Sequence, residues 1–235
     1  MKLVKKLSLA FTAAAIVAPA SYAADLSIEI ENLTRGTFFT PLAVTAHPDG
    51  TSLFSSGAAA STEIQAMAEG GSLTGIETFL TGIGATQDID PAGGLLVPGA
   101  STTASLNTDG TTNILLSVVG MMLPTNDGFV AINAINIPTT AGTHVFFANA
   151  YDAGTEANDE VVGSGDPGMA GFPAPAPVAA TTGTSGAGVA ATAEGFIHIH
   201  RGVLGDTNAT GGDSDIDSTM HRWLNPVAKI SITVN

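Results

Sequence analysis

LSIEIENL, residues 26–33, decides how the rest of the chain is read. Its apolar side chains Leu26, Ile28 and Ile30 alternate with Ser27, Glu29 and Glu31. Successive side chains of an extended chain point to opposite faces, so this period of two predicts a half-buried strand. The alternation recurs at the far end, in VAKISITV (227–234), where Ile230, Ile232 and Val234 oppose Lys229, Ser231 and Thr233. GFIHIHRGV (195–203) predicts another strand, with Ile197 and Ile199 on one face and His198 and His200 on the other. NILLSVVGMML (113–123), GFVAINAINI (128–137) and THVFFANAY (143–151) are too apolar to alternate and read as strands buried on both faces. TTASLNT (102–108) and FFTPLAVTAH (38–47) are weaker strand patterns.

Two segments between the early strands switch to helical spacing. AASTEIQAMAEGG (59–71) has a Ser61/Thr62 start, Ile64, Met67 and Ala68 on one face, and a Gly-Gly stop. SLTGIETFLTGIG (72–84) spaces Leu73, Ile76, Phe79, Leu80 and Ile83 in the same way. The expected architecture is therefore all-β: an antiparallel β-sandwich with short helices in one inserted connection.

The ends and one internal stretch stand apart. MKLVKK supplies Lys2, Lys5 and Lys6, an apolar run follows, and Ser21 and Ala23 fit the −3 and −1 positions of a cleavage site. Residues 1–23 read as a secretory signal, since the apolar run falls short of the ~18–20 residues of a spanning helix. The chain is expected to be exported, periplasmic or secreted, with no membrane span after cleavage. Residues 161–194 are rich in Pro, Gly, Ala and Thr and lack periodicity, which predicts a long low-complexity surface loop. The two clear strands beyond it are too few for a core of their own, so 24–235 reads as one domain.

Charge narrows the partners. Beyond residue 23 the chain has four basic residues, Arg35, Arg201, Arg222 and Lys229, against 21 acids, a formal charge of −17. Such a surface repels nucleic acid and anionic lipid and suits cations. There is no cysteine, so neither disulfides nor a lipid-modified cysteine are available. Gly-x-Ser-x-Gly, phosphate-loop and dinucleotide signatures are missing, and no enzymatic activity is expected.

Charge is scarce, 12% of residues, yet NAYDAGTEANDE (149–160) holds four acids, Asp152, Glu156, Asp159 and Glu160. Gly154 permits a tight turn that brings Asp152 and Glu156 to one side. If strands 128–137 and 143–151 pair antiparallel, Asp127 at the start of one lies beside Asp152 at the end of the other. Three converging carboxylates repel, and a Ca²⁺ ion, which takes oxygen ligands, would relieve them. Spacing alone favours a solvated acidic loop over a metal site. Asp159 and Glu160, past the turn, read as solvated.

Histidine offers a rival. His198 and His200 share a strand face, and with His221 or His47 they could bind copper or zinc; two histidines merely facing water is the alternative. His144 reads as a capping or surface residue. GDTNATGGDSDID (205–217) has the oxygen density of a calcium loop but lacks the closing Glu, and reads as a flexible acidic loop.

PTNDGFVAINAI (124–135) followed by ANAYDAGTE (148–156) resembles the paired signature of the spondin N-terminal domain family. LSIEIENLTRGTFFTPLAVTAHP (26–48) and NPVAKISITV (225–234) fit more loosely and are closer to the exported bacterial members. The resemblance implies a C2-like β-sandwich with a calcium-type site at one end, in which Asp127, Asp152 and Glu156 match the acids of the two motifs. Glu156 departs from the Asp of the animal proteins, and Gly128 stands where an aromatic residue is expected, with Phe129 one place on. The implied role is a binding or adhesion-type module for an unidentified extracellular protein or glycan. A His-based copper or zinc protein and a purely structural envelope or matrix protein are the alternatives.

Overall fold

The computed structural model describes residues 25–235. The expected signal segment, 1–23, lies outside the described residues. Among those described, no helix is long and apolar enough to cross a membrane. The first elements are β1 (Asp25–Asn32), β2 (Phe38–Phe39), β3 (Ala43–Pro48), α1 (Thr62–Gly70), α2 (Thr74–Gly82), β4 (Thr86–Ile89) and β5 (Ser101–Asn107). They are followed by β6 (Asn113–Leu123), β7 (Gly128–Asn136), β8 (Gly142–Asp152), β9 (Val162–Gly163), β10 (Phe172–Pro173), α3 (Ala176–Ala179), β11 (His198–Ile199) and β12 (Ala228–Val234).

The chain is all-β and antiparallel as expected, and its packed layers are opposite walls of one curled sheet. The strand order is β4-β3-β6-β7-β8-β12-β1-β5, with β2 added to β6 and β11 to β8. The free edges nearly meet: Ser105 N on β5 donates to Asp88 Oδ2 on β4 at 2.8 Å. Right-handed strand twist, accumulated over this many strands, curls such a sheet towards a barrel.

The period of two in the terminal segments is what fills the barrel. β1 pairs with β12 so that Ile28 faces Ile232 and Ile30 faces Ile230. All four are fully buried, with Val118, Val130 and Ala148 around them. Each such side chain contributes about 1.5–3 kcal/mol relative to exposure. β6 is apolar on both faces because it has two cores to serve. Leu116, Val118 and Met122 point into the barrel, and Val119, Met121 and Leu123 point outwards under Ile64, Met67, Ile76 and Leu80 of the two helices. The Ser61 side chain caps α1 by accepting from Ile64 N, and Gly71 ends it in the left-handed region at φ 70°.

Three readings need correction. THVFFANAY is not buried on both faces: Val145 and Phe147 are 51% and 57% exposed, because the helices cover β3, β6 and β7 and leave this part of β8 bare. The 195–203 strand shrinks to His198–Ile199 and does not keep the expected faces, burying Ile197 and His200 and exposing Ile199. Residues 161–194 are not featureless. They hold β9, β10 and α3, bridge to the 205–217 loop through Thr182–Ile216 and Thr184–Thr210, and bury Phe172 with Val203 and Ile216.

Candidate metal centre

The site forms where β8 runs out into the Asp152–Glu156 turn. Asp152 Oδ1 accepts from Gly154 N at 2.8 Å, closing the turn. Gly154 sits at φ 67°, a conformation unfavourable for residues with a Cβ. A Cβ there would also collide with the backbone of Phe196. Gly195 N donates to Gly154 O at 2.8 Å, so the glycine docks the returning segment 194–200 onto the turn. β11 then places His198 opposite Asp152, while β7 places Gly128 opposite Asp152 on the other edge. The buried Asp152 carboxylate is thus flanked by two strands.

Asp127 enters from the start of β7, as the antiparallel pairing predicts. It is wholly buried. Its Oδ2 accepts from Thr155 N at 2.7 Å and Glu156 N at 3.1 Å, and its Oδ1 has no hydrogen-bond partner. Burial, and then the charge of Asp152, push its carboxyl up to about 8 against the pull of those two amides. Glu156 keeps its amide on Asp127 but turns its carboxylate away. Its Oε1 accepts from Asn126 Nδ2 at 2.8 Å and from Gly171 N, and burial raises its pKa.

The side chains that gather on Asp152 are His198, His200 and Glu194. His198 Nε2 lies 3.6 Å from Asp152 Oδ1, and His200 Nε2 lies 3.9 Å from Asp152 Oδ2. Asp152, Glu194 and His198 each bring one ligand atom within 4.8 Å of the others. Both Nε2 atoms, Glu194 Oε2 and Asp127 Oδ1 are buried without a hydrogen-bond partner. Unpartnered buried polar atoms are costly, so several in one place call for an ion or water.

The two imidazoles are not equivalent. His198 Nδ1 lies 3.0 Å from Ile199 O. A nitrogen facing a carbonyl must carry the proton, so the neutral ring keeps its lone pair on Nε2, towards Asp152. His200 Nδ1 instead accepts from Gly202 N at 3.0 Å, which puts the proton of its neutral ring on Nε2. Burial pushes His200 down to about 4. At neutral pH His200 therefore presents an N–H dipole to Asp152 rather than an ion pair. Its ring occupies the space above Gly128, where a Cβ would lie 3.0 Å from His200 Cδ2. Trp223 stands beside it, with ring centroids 5.1 Å apart.

Calcium takes oxygen ligands, six to eight of them. Here an imidazole lone pair joins two carboxylates, the third expected oxygen ligand is turned away, and the turn presents amides to Asp127 and Asp152. The cluster brings imidazole nitrogen and carboxylate oxygen together, a donor set that could hold a divalent ion.

The remaining sequence candidates lie elsewhere. His47 Nε2 is 2.8 Å from Ser117 Oγ, and His221 Nε2 is 3.0 Å from Thr181 O, so neither supplies a third imidazole. In the 205–217 loop, Asp206 accepts from Asn208, Asp213 and Ser214 amides, and Asp215 accepts from Val162 and Gly186 amides. Glu160 is not solvated. It is buried and accepts from Leu204 N, Gly205 N and Ser214 Oγ, holding that loop in place. Glu194 went unnoticed in the sequence because no motif surrounds it. Its one signal is isolation: it is the sole acid between Asp166 and Asp206, four residues before a histidine pair.

Among curated proteins no relative matches the chain. A family model described as Spondin_N matches residues 32–161, more than half of it. The match includes Asp127, Asp152 and Glu156 and ends before Glu194, His198 and His200.

Proposed function

The chain belongs to the spondin N-terminal domain family, and on that footing we propose that it is an exported, non-enzymatic binding module of adhesion type. A divalent cation held at the Asp152 end of the sheet braces the loops there. The observation that carries this reading is the meeting of Asp152 with Glu194 and His198 from a distant part of the chain, where Glu194 Oε2 and His198 Nε2 are buried without a hydrogen-bond partner. An ion there ties segment 194–200 to the turn after β8, which fixes a surface for a partner. That partner is an extracellular protein or glycan. Nucleic acid is disfavoured by the acidic surface.

Calcium is the second reading. It draws on Asp152 and on Asp127, whose Oδ1 is free of partners, but not on the Glu156 carboxylate, which Asn126 and Gly171 occupy.

Thermal unfolding with chelator, then with calcium, magnesium, manganese or zinc added singly, tests the cation requirement. A ligand bound only by the folded protein adds about 2.7 kcal/mol at a hundredfold excess over Kd. A rise in Tm with at least one ion, reversed by chelator, supports the reading. Stability indifferent to every ion and to chelator overturns it in favour of a purely structural envelope or matrix protein.

A further inference from the structure

We propose that the ion at this centre is a borderline divalent metal of the zinc class, held by Asp152 Oδ1, Glu194 Oε2 and His198 Nε2, with His200 as a positioning residue rather than a ligand. This rests on the cation-braced reading and specifies its chemistry.

Tautomer geometry separates the two histidines. His198 has its Nδ1 against Ile199 O, so its Nε2 lone pair points at Asp152. An imidazole whose far nitrogen donates to a carbonyl is the arrangement that orients and strengthens a metal-binding histidine. His200 accepts from Gly202 N and can offer Asp152 only a proton. It is 5% exposed, and its Nε2 has no partner. That nitrogen lies 3.9 Å from Asp152 Oδ2, which also accepts from Asn158 Nδ2, while Oδ1 accepts one amide, from Gly154, and keeps a lone pair for the metal.

Distance agrees with this assignment. Zinc–nitrogen and zinc–oxygen bonds of about 2.0–2.2 Å in a tetrahedron put ligand atoms about 3.3–3.5 Å apart. His198 Nε2 and Asp152 Oδ1 are 3.6 Å apart. Glu194 Oε2 is buried and unpartnered, and a carboxylate oxygen of Glu194 lies within 4.8 Å of a ligand atom of each of the other two residues. Three protein ligands leave a fourth position open.

Gly128 gives the His200 ring its place, since a Cβ there would lie 3.0 Å from His200 Cδ2. Both proposed ligands other than Asp152 lie beyond the residues the family model matches.

The test is calorimetric titration of the full chain, prepared without a histidine tag and stripped with chelator, against zinc chloride and separately against calcium chloride. Saturable 1:1 zinc binding is expected, weakened at least tenfold in Glu194→Gln and in His198→Ala and unchanged in Glu156→Gln. In cobalt-substituted protein, His200→Gln should keep 1:1 stoichiometry but shift the visible absorption bands. Zinc binding insensitive to Glu194→Gln and His198→Ala overturns the ligand assignment. Calcium binding without zinc binding overturns the metal class and leaves the braced-module reading standing. Binding of neither ion, nor of manganese or magnesium, overturns both.

Discussion

His198 stands directly opposite Asp152 across the β8–β11 pair, with its Nε2 3.6 Å from the carboxylate. Because Asp152 also faces Gly128 of β7, one carboxylate links the matched core of the family to a segment outside it. Substitutions at and around this point have separable consequences.

Asp152→Asn should abolish the cation-dependent rise in Tm while preserving the fold. The amide oxygen can still accept from Gly154 N, but its nitrogen then confronts Asn158 Nδ2, which now donates to Asp152 Oδ2 at 2.8 Å. That mismatch should cost about 1–3 kcal/mol in the metal-free protein. Denaturant titration with and without ion checks both parts.

Gly128→Ala should destabilise by about 1–3 kcal/mol through overpacking. Its Cβ would lie 2.7 Å from Thr125 Oγ1 and 3.0 Å from His200 Cδ2. Thr125 cannot easily give way, since its hydroxyl donates to Met122 O. Urea unfolding measures the loss, and an unchanged midpoint would contradict the packing described.

Glu160→Ala should cost roughly 3 kcal/mol, the scale of hydrogen bonds to a buried charge. The loss should be local, with faster amide exchange at Leu204 and Gly205, whose N–H groups Glu160 accepts. Glu160→Gln, which keeps an acceptor oxygen, should lose less.

Acid should destabilise the fold through His47 and His221. Burial lowers the pKa of both, so below about pH 6.5 the unfolded chain binds protons that the folded chain resists. Their contribution is fully present above that pH and is lost as pH falls through the lowered folded values. Asp127, raised to about 8, works in the opposite sense over the same range, so the histidine contribution is read as a difference: His47→Gln with His221→Gln should lose less Tm, or gain more, than the parent protein between pH 7.5 and pH 5.

The barrel interior was legible because it rests on local periodicity: Ile28, Ile30, Ile230 and Ile232 announce their faces in sequence and pair as those faces require. The meeting of Asp127 and Asp152 was legible for the same reason, following from two neighbouring antiparallel strands. The surroundings of Glu156 were not legible, because its carboxylate meets Asn126 and Gly171, the latter in a Pro/Gly-rich segment with no periodic signal. Glu194 and the tautomers of the two histidines depend on where segment 194–200 returns, and Gly154 fixes that by a close backbone approach. Such a contact has no spacing to reveal it. The histidine and carboxylate candidates read as rival sites because sequence distance separated them by more than 40 residues, from Asp152 to His198, though space does not.

β8 changes partners along its length, taking β12 from Gly142 to Ala148 and then β7 and β11 on its two edges at Tyr151 and Asp152. In mechanical terms it is the tie-bar of the barrel. A pull exerted on segment 194–200 by a bound partner enters β8 at Asp152 and passes into both walls as shear along hydrogen-bond ladders, the direction in which many bonds must break together. An ion at that joint would act as a rivet, and the force needed to detach a partner would then depend on the metal even where resting affinity does not.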